Sequence, residues 1–70
     1  MRICDFTKPE LEYFREQCNF TDCERRAFDM KAKDCTNIQI AMELNVSEST
    51  VAVTMRRVRT KITKVLNWEV

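Results

Sequence analysis

The 70-residue chain contains no glycine, no histidine and a single proline. Without glycine it has neither a glycine-containing hairpin turn for β-strands nor a glycine-rich loop to cradle a phosphate. Without histidine a zinc site has no imidazole ligand, and a cysteine nucleophile has no visible base. No apolar run approaches the roughly 18 residues of a membrane span. These absences argue against a β-fold, a membrane protein and an enzyme.

The four cysteines are separated by 13, 4 and 11 residues, which fits no paired C-x₂-C metal knuckle. We therefore predict no metal and no cofactor. Cys18, Cys23 and Cys35 fall on apolar or boundary positions of predicted helices, so we expect reduced, buried thiols that pack as small hydrophobic residues. The alternatives are a disulfide, redox sensing or a metal site that also uses Cys4.

Size and composition favour one small folded domain spanning residues 1–70. Apolar residues make up 44% of the chain and charged residues 33%, which is typical of a folded rather than a disordered sequence. The first residues, MRICDF, lack the apolar segment of a secretory signal. We therefore expect a cytoplasmic protein that does not associate with membranes.

Four helix starts can be read directly. TKPE at 7–10 and TDCE at 21–24 fit the capping box, TNIQ at 36–39 fits its glutamine variant, and Ser47 caps a fourth helix. Apolar spacing extends these starts into helices over about 8–18, 22–33, 37–44 and 48–66. We predict an all-α fold, a small four-helix bundle with an extra N-terminal helix and a helix-turn-helix over about 36–66, its recognition helix last and longest.

Apolar residues at helical spacing predict the core. The longest stripe lies on the last helix, and shorter stripes lie on the first three. The predicted inward residues are Leu11, Phe14, Cys18, Ala27, Phe28, Met30, Ala32, Ile40, Ala41, Leu44, Val51, Met55, Val58, Ile62, Val65 and Leu66.

The stretch ELNVSESTV, residues 43–51, joins the last two helices without a glycine. Asparagine is the usual substitute where a helix ends in the left-handed conformation, so we predict a positive φ at Asn45. Asp34 plays the same part at the preceding turn, and Val46 points back into the junction. Such a turn leaves the second helix free to enter a DNA groove.

The last predicted helix has a basic outer face. Every acid except Glu69 precedes position 49, whereas residues 49–70 hold five lysines and arginines. Opposite the core stripe lie hydroxyl residues, arginines and Val53. Lysine and arginine neutralise phosphates, arginine matches the paired acceptors of guanine, and valine can touch a thymine methyl. The pattern favours DNA binding over a solvated face with a chance charge bias.

From Phe20 to Ile62 the chain resembles the LuxR/GerE-type helix-turn-helix domain and, more loosely, region 4 of bacterial sigma factors. The matching stretches are FTDCERRAFDMKAKDCTNIQIAMELNVSESTV and MRRVRTKI. Glycine is usual in the family at the positions of Asp34 and Asn45, and Ala52 stands where lysine is often found. The resemblance implies that early recognition-helix residues touch bases and phosphates, here Ser49, Thr50, Ala52, Val53, Arg56 and Arg57.

We complete this set with polar residues at the starts of the last two helices and with Thr60, Lys61 and Lys64 farther along the last helix. The predicted DNA-contacting residues are Thr36, Asn37, Ser47, Ser49, Thr50, Ala52, Val53, Arg56, Arg57, Thr60, Lys61 and Lys64.

The predicted function is sequence-specific binding of double-stranded DNA by a small bacterial or phage-type transcriptional regulator, with helix 48–66 in the major groove. The alternative is a sigma-region-4-like module that docks on RNA polymerase or another regulator. A homodimer is a further expectation, because one such unit reads only a short half-site. Its candidate surfaces are Tyr13, together with Phe14 if that ring is not in the core, and Leu66 with Trp68 and Val70.

Overall fold

The computed structural model describes residues 2–68, without the side chain of Trp68. A 3-10 turn at Ile3–Asp5 precedes four helices: α1 (Lys8–Gln17), α2 (Asp22–Ala32), α3 (Asn37–Leu44) and α4 (Glu48–Trp68). Residues 2–68 contain no strand. The predicted all-α class is confirmed, and α4, with 21 residues, is the longest helix described. None of these helices combines the length and the apolarity needed to cross a bilayer.

Each helix begins at the cap predicted for it. The backbone N–H groups of Thr7, Thr21 and Thr36 donate to the side chain three residues later, at 2.8–2.9 Å, while each threonine hydroxyl accepts in return. Ser47 Oγ accepts from the backbone N–H of Thr50 at 3.2 Å. These bonds satisfy donors that a helix start otherwise leaves unpaired.

All three connections between helices use a left-handed residue that is not glycine. Asn45 has a φ of 58°, as predicted, and Asp34 has a φ of 64°; Asn19, which we did not predict, has a φ of 52°. After α3 the backbone N–H of Val46 donates to Ala41 at 3.0 Å, and after α2 that of Cys35 donates to Met30 at 3.1 Å. The short polar side chains of asparagine and aspartate tolerate this conformation, which explains a helical fold without glycine.

The core lies where α4 packs on α2 and α3. On α4, Val51, Met55, Val58 and Ile62 are at most 1% exposed, and Phe28 of α2 and Ile40 of α3 are fully buried against this stripe. The predicted stripes are therefore confirmed for the centre of the bundle. Because one side of α4 is held by this packing, the opposite side is fixed toward solvent.

The N-terminal turn completes the core and was not predicted. Ile3 is only 3% exposed, and the ring of Phe6 packs edge-on against the ring of Phe14 at 4.8 Å between centroids. Three residues are too few to show a helical period, so periodicity could not predict this element.

Two predictions about individual side chains are wrong. Leu66 is 46% exposed rather than part of the core, because it lies near the end of α4, past most of the packed stripe. Cys23 is exposed on the first turn of α2, not buried. The predicted core position of Phe14 is confirmed at 2% exposure, so this ring offers no dimer surface. Glu69, Val70 and the side chain of Trp68 lie outside the described residues.

Candidate nucleic-acid interface

The outer face of α4 is a continuous polar and basic surface. The outer face is defined by seven exposed residues: Ser49, Ala52, Val53, Arg56, Arg57, Thr60 and Lys64. No acidic residue occurs between positions 49 and 67. Val53 is 42% exposed between the hydroxyl residues and the arginines. A face of hydroxyls, two small aliphatic groups and cations can contact both base edges and phosphates.

The cations of α4 differ in their pairing. Arg56, Arg57, Arg59 and Lys64 form no ion pair with any residue in the described part of the chain, whereas Lys61 pairs with Glu24 of α2. Four unpaired cations on one helix keep their full charge for an outside partner. A single-sign surface of this kind attracts polyanions over distances of about 10 Å at 0.1 M salt.

A groove of about 560 Å³ runs between the start of α3 and the outer face of α4. Three cations face it and no acid does. A helix start carries a partial positive charge, so the first turn of α3 adds to the attraction for an anion. The groove is lined by Asn37, Ala52, Met55, Arg56, Arg59, Thr60, Thr63 and Lys64.

Asn37 has an oxygen without a partner inside this groove. Its Oδ1 is buried and accepts no hydrogen bond from the residues that the structure describes. Buried polar atoms in folded proteins are nearly always paired, so this oxygen is an exception among the described residues. The DNA contact predicted at Asn37 stays a prediction.

Several predicted hydroxyls already bond within the chain. The hydroxyl of Thr36 accepts from the backbone N–H of Gln39 at 3.2 Å, and the hydroxyls of Ser47 and Thr50 lie 3.0 Å apart in a mutual bond. Thr60 Oγ1 donates to the carbonyl of Arg56 at 2.9 Å. Since the Thr60 proton is used in this way, Thr60 can offer a ligand only its oxygen lone pairs and its methyl group.

Lys61 does not belong to the outer face. Its ammonium group forms an ion pair with Glu24 of α2, donates to the carbonyl oxygen of Asn19 at 3.3 Å and lies 6.0 Å from the ring centre of Phe20. The structure therefore gives Lys61 a part in packing α4 against α2, and the predicted DNA contact at this position is corrected.

The Glu24 carboxylate is the other half of this pair and is only 5% exposed. Burial alone would raise its pKa, but the hydrogen bond from Lys61, the backbone N–H of Thr21 and the charge of Lys61 outweigh burial and hold the pKa below its ordinary value. Glu24 is therefore ionised at neutral pH, and it joins the start of α2 to the middle of α4.

Arg59 and Thr63 line the groove but were not among the predicted contacts. Both lie on the flank of α4 that faces α3, about 80° to 120° from the core stripe at 100° per residue. This angle alone did not separate them from an ordinary solvated flank. What distinguishes Arg59 and Thr63 is that α3 forms the other wall of the groove that they line.

The cysteines do not assemble a site. All four are free thiols, and within residues 2–68 no three potential ligands come close enough to hold a metal ion. Cys18 is buried, which raises the pKa of its thiol, although the nearby Lys61 charge partly offsets this effect. A thiol with a raised pKa is a poor nucleophile at neutral pH.

Comparison with known proteins gives one match. The GerE family model, described as bacterial regulatory proteins of the luxR family, matches residues 19–65. This range covers α2, α3 and most of α4, and therefore both walls of the groove and all of the outer face. No curated protein and no solved structure matches the chain.

Proposed function

The chain belongs to the luxR family of bacterial regulatory proteins, and from this membership we propose that it binds double-stranded DNA sequence-specifically to regulate transcription. In this proposal α4 lies in the major groove and α3 crosses the backbone beside it. The observation that carries the proposal is the acid-free outer face of α4, whose cations pair with no described acid.

The residues divide by the part of the duplex that they can reach. Ser49, Ala52 and Val53 lie early on the outer face and are short enough to approach base edges, and Val53 suits a thymine methyl. Arg56 and Arg57 reach either guanine or phosphate. Thr36, Asn37, Ser47, Thr50 and Lys64 border the groove or the ends of this face and suit phosphate contacts. Thr60 has only its oxygen lone pairs and its methyl group to offer, which suit a base edge rather than a phosphate.

The test is binding of fluorescent duplex DNA followed by anisotropy over a salt series. We expect Arg56→Ala and Arg57→Ala each to weaken binding by about 5-fold to 150-fold, the range that corresponds to a loss of 1–3 kcal/mol per base contact. Loss of a phosphate contact alone would instead lower the slope of log K against log[salt] by about 0.9.

Lys8→Ala is the matched control, because Lys8 is an exposed cation in the first turn of α1 and lines a different surface recess. Selection of bound sequences from a random duplex pool gives the specificity. Absence of duplex binding at 50 mM salt would refute the proposal, and equal binding to every sequence would refute its specific form.

A homodimer stays a prediction that the same selection addresses. A palindromic selected site would indicate two copies of the chain on one operator, with half-sites about 10 base pairs apart. Sedimentation over a concentration series, alone and with this duplex, measures the oligomeric state directly. A strict monomer on a non-repeating site would contradict the dimer.

A second function, docking on RNA polymerase or another regulator, is favoured by one observation. Ile38 and Met42 are 57% and 77% exposed and lie four residues apart, so they form an apolar strip on the solvent side of α3. We expect such docking to survive Arg56→Glu with Arg57→Glu and to be lost in Ile38→Ser with Met42→Ser. Binding of purified polymerase that follows the arginines instead would contradict a separate docking surface.

A further inference from the structure

A second basic recess lies next to the groove and shares Arg59 with it. Three of its lining residues are cations, and they come from three different parts of the chain: the N-terminal segment, α2 and α4. Asp34 is the one acid among them. This recess, which we call the N-terminal basic recess, has a volume of about 190 Å³ and is lined by Arg2, Ile3, Cys4, Lys31, Asp34 and Arg59.

The N-terminal turn holds Arg2 in this position. The side chain of Ile3 is buried in the core at 3% exposure, and the backbone N–H of Asp5 donates to the carbonyl of Arg2 at 3.1 Å. A residue directly before a buried anchor keeps its backbone place even when its side chain is free to move. Arg2 therefore stays beside the end of α2.

Asp34 neutralises the recess only in part. Its carboxylate lies 4.0 Å from the Arg2 guanidinium, and the two side chains are 76% and 70% exposed. Exposed pairs at this distance contribute little and exchange readily for another anion. Lys31 and Arg59 pair with no acid in the described part of the chain, so three positive charges face one negative charge.

We infer that the N-terminal basic recess binds backbone phosphates of the same DNA duplex that occupies the groove. The inference rests on the proposed function and extends it to Arg2, Lys31 and Arg59. The groove and the N-terminal basic recess lie side by side and share Arg59. This arrangement suits a linear polyanion, because consecutive phosphates can occupy both, whereas one small anion would fill only one. Arg2 lies outside residues 19–65, so this contact is additional to the part of the chain that matches the family.

The recess also suits phosphate rather than bases. It lies on the flank of α4 beyond Arg59, and the groove separates it from the outer face. When the outer face lies in the major groove of the DNA, this flank of α4 faces the sugar–phosphate strand that borders the major groove. Its cations then act without reading sequence, and they increase affinity in a salt-dependent way.

The experiment compares Arg2→Gln with Lys31→Gln, singly and together, on the selected duplex. If each side chain contacts one phosphate, the double variant loses about 1.8 from the slope of log K against log[salt], which is about a 60-fold loss of affinity at 0.1 M salt. The base preference in the random-pool selection stays unchanged. Lys33→Gln is the matched control, because Lys33 is an exposed lysine close by that lines a different recess.

Asp34→Asn tests the same recess by a gain of binding. Asparagine tolerates the left-handed backbone of position 34, so the turn is kept while the negative charge is removed. We expect Asp34→Asn to bind the duplex several-fold more tightly than the wild-type chain, and circular dichroism melting verifies that each variant is folded.

The outcomes separate the two proposals. If the wild-type chain binds no duplex, the proposed function and this inference both fail. If the wild-type chain binds the duplex and the double variant has the same slope of log K against log[salt] as Lys33→Gln, the recess does not contact phosphate. In that case this inference alone is overturned. Asp34→Asn binding no more tightly than wild type would overturn it independently.

Discussion

Replacing Lys61 with methionine should lower the stability of the fold while leaving binding to DNA nearly intact. The ammonium group of Lys61 lies against Glu24 and the carbonyl of Asn19 rather than on the outer face of α4. Methionine keeps a side chain of similar length and apolar volume, so the substitution chiefly removes the charge. The carboxylate of Glu24 would then remain buried without its partner.

The size of the effect follows from the exposure of the two groups. Removing one partner of a fully buried ion pair costs about 3–5 kcal/mol, because the other charge is left unpaired. Here the Glu24 side chain is 7% exposed but that of Lys61 is 32% exposed, so water can replace part of the lost interaction. We expect Lys61→Met to cost about 1–2 kcal/mol, which lowers Tm by roughly 5–15 °C in a domain of this size.

Glu24→Gln provides the matched background for a double-mutant cycle. Glutamine can keep the capping box, since Gln39 already accepts from the backbone N–H of Thr36 at 2.9 Å, as Glu24 does from Thr21 at the same distance. In that background no buried charge remains, so the cost of Lys61→Met should fall by about 1 kcal/mol. Urea unfolding followed by circular dichroism measures the free energy of unfolding of the wild type, the two single variants and the double variant.

The ion pair between Lys61 and Glu24 also makes the free energy of unfolding depend on pH. The pKa of Glu24 is lower in the folded protein than in the unfolded chain, so the unfolded chain binds more protons in acid. The stabilisation is therefore fully present above the ordinary glutamate pKa of about 4.3 and is lost as the pH falls through the folded value. The cost of Lys61→Met should shrink over this range.

Two results would refute this reasoning. One is a Lys61→Met protein as stable as the wild type at pH 7. The other is a loss of DNA affinity as large as that of Arg56→Ala with no loss of stability, because Lys61 would then belong to the interface after all.

Other substitutions test separate features of the fold. Asn45→Ala should cost about 1–2 kcal/mol in urea unfolding, because alanine resists the left-handed conformation, whereas Asn45→Gly should be near neutral; equal stability of both would contradict the turn. Ile62→Ala should cost about 2–5 kcal/mol and Leu66→Ala less than about 1 kcal/mol, and similar costs would place Leu66 in the core after all. An alkylating reagent should label Cys23 within the folded protein and leave Cys18 unlabelled until urea unfolds it, as mass spectrometry of peptides would show.

The features that the sequence predicted well are local ones. A capping box needs only a threonine and an acid or amide three residues apart, and the central stripe of α4 needs only its own period. Both signals act within one helix, so no knowledge of neighbouring helices was needed. The left-handed Asn45 could be predicted for the same reason.

The features that were missed depend on contacts between elements. Lys61 lies on a flank of α4, and only the crossing of α2 decides that its ammonium meets Glu24 instead of solvent. Arg59 lies on the opposite flank, where α3 makes it part of a groove. Ile3 enters the core from a turn too short to show any period. In each case the partner is distant in sequence, and periodicity carries no information about it.

The turn after α2 links the requirements of folding to those of binding. The positive φ of 64° at position 34 restricts this site to residues that tolerate the left-handed conformation, chiefly glycine, asparagine and aspartate. Of these three, aspartate alone places a negative charge beside Arg2, Lys31 and Arg59. If phosphates enter this recess, aspartate holds the affinity below the level that the same backbone would allow with asparagine. A regulator that must leave its operator gains from such a limit, because tighter phosphate contacts strengthen binding to every sequence alike and do not improve selection of the correct one.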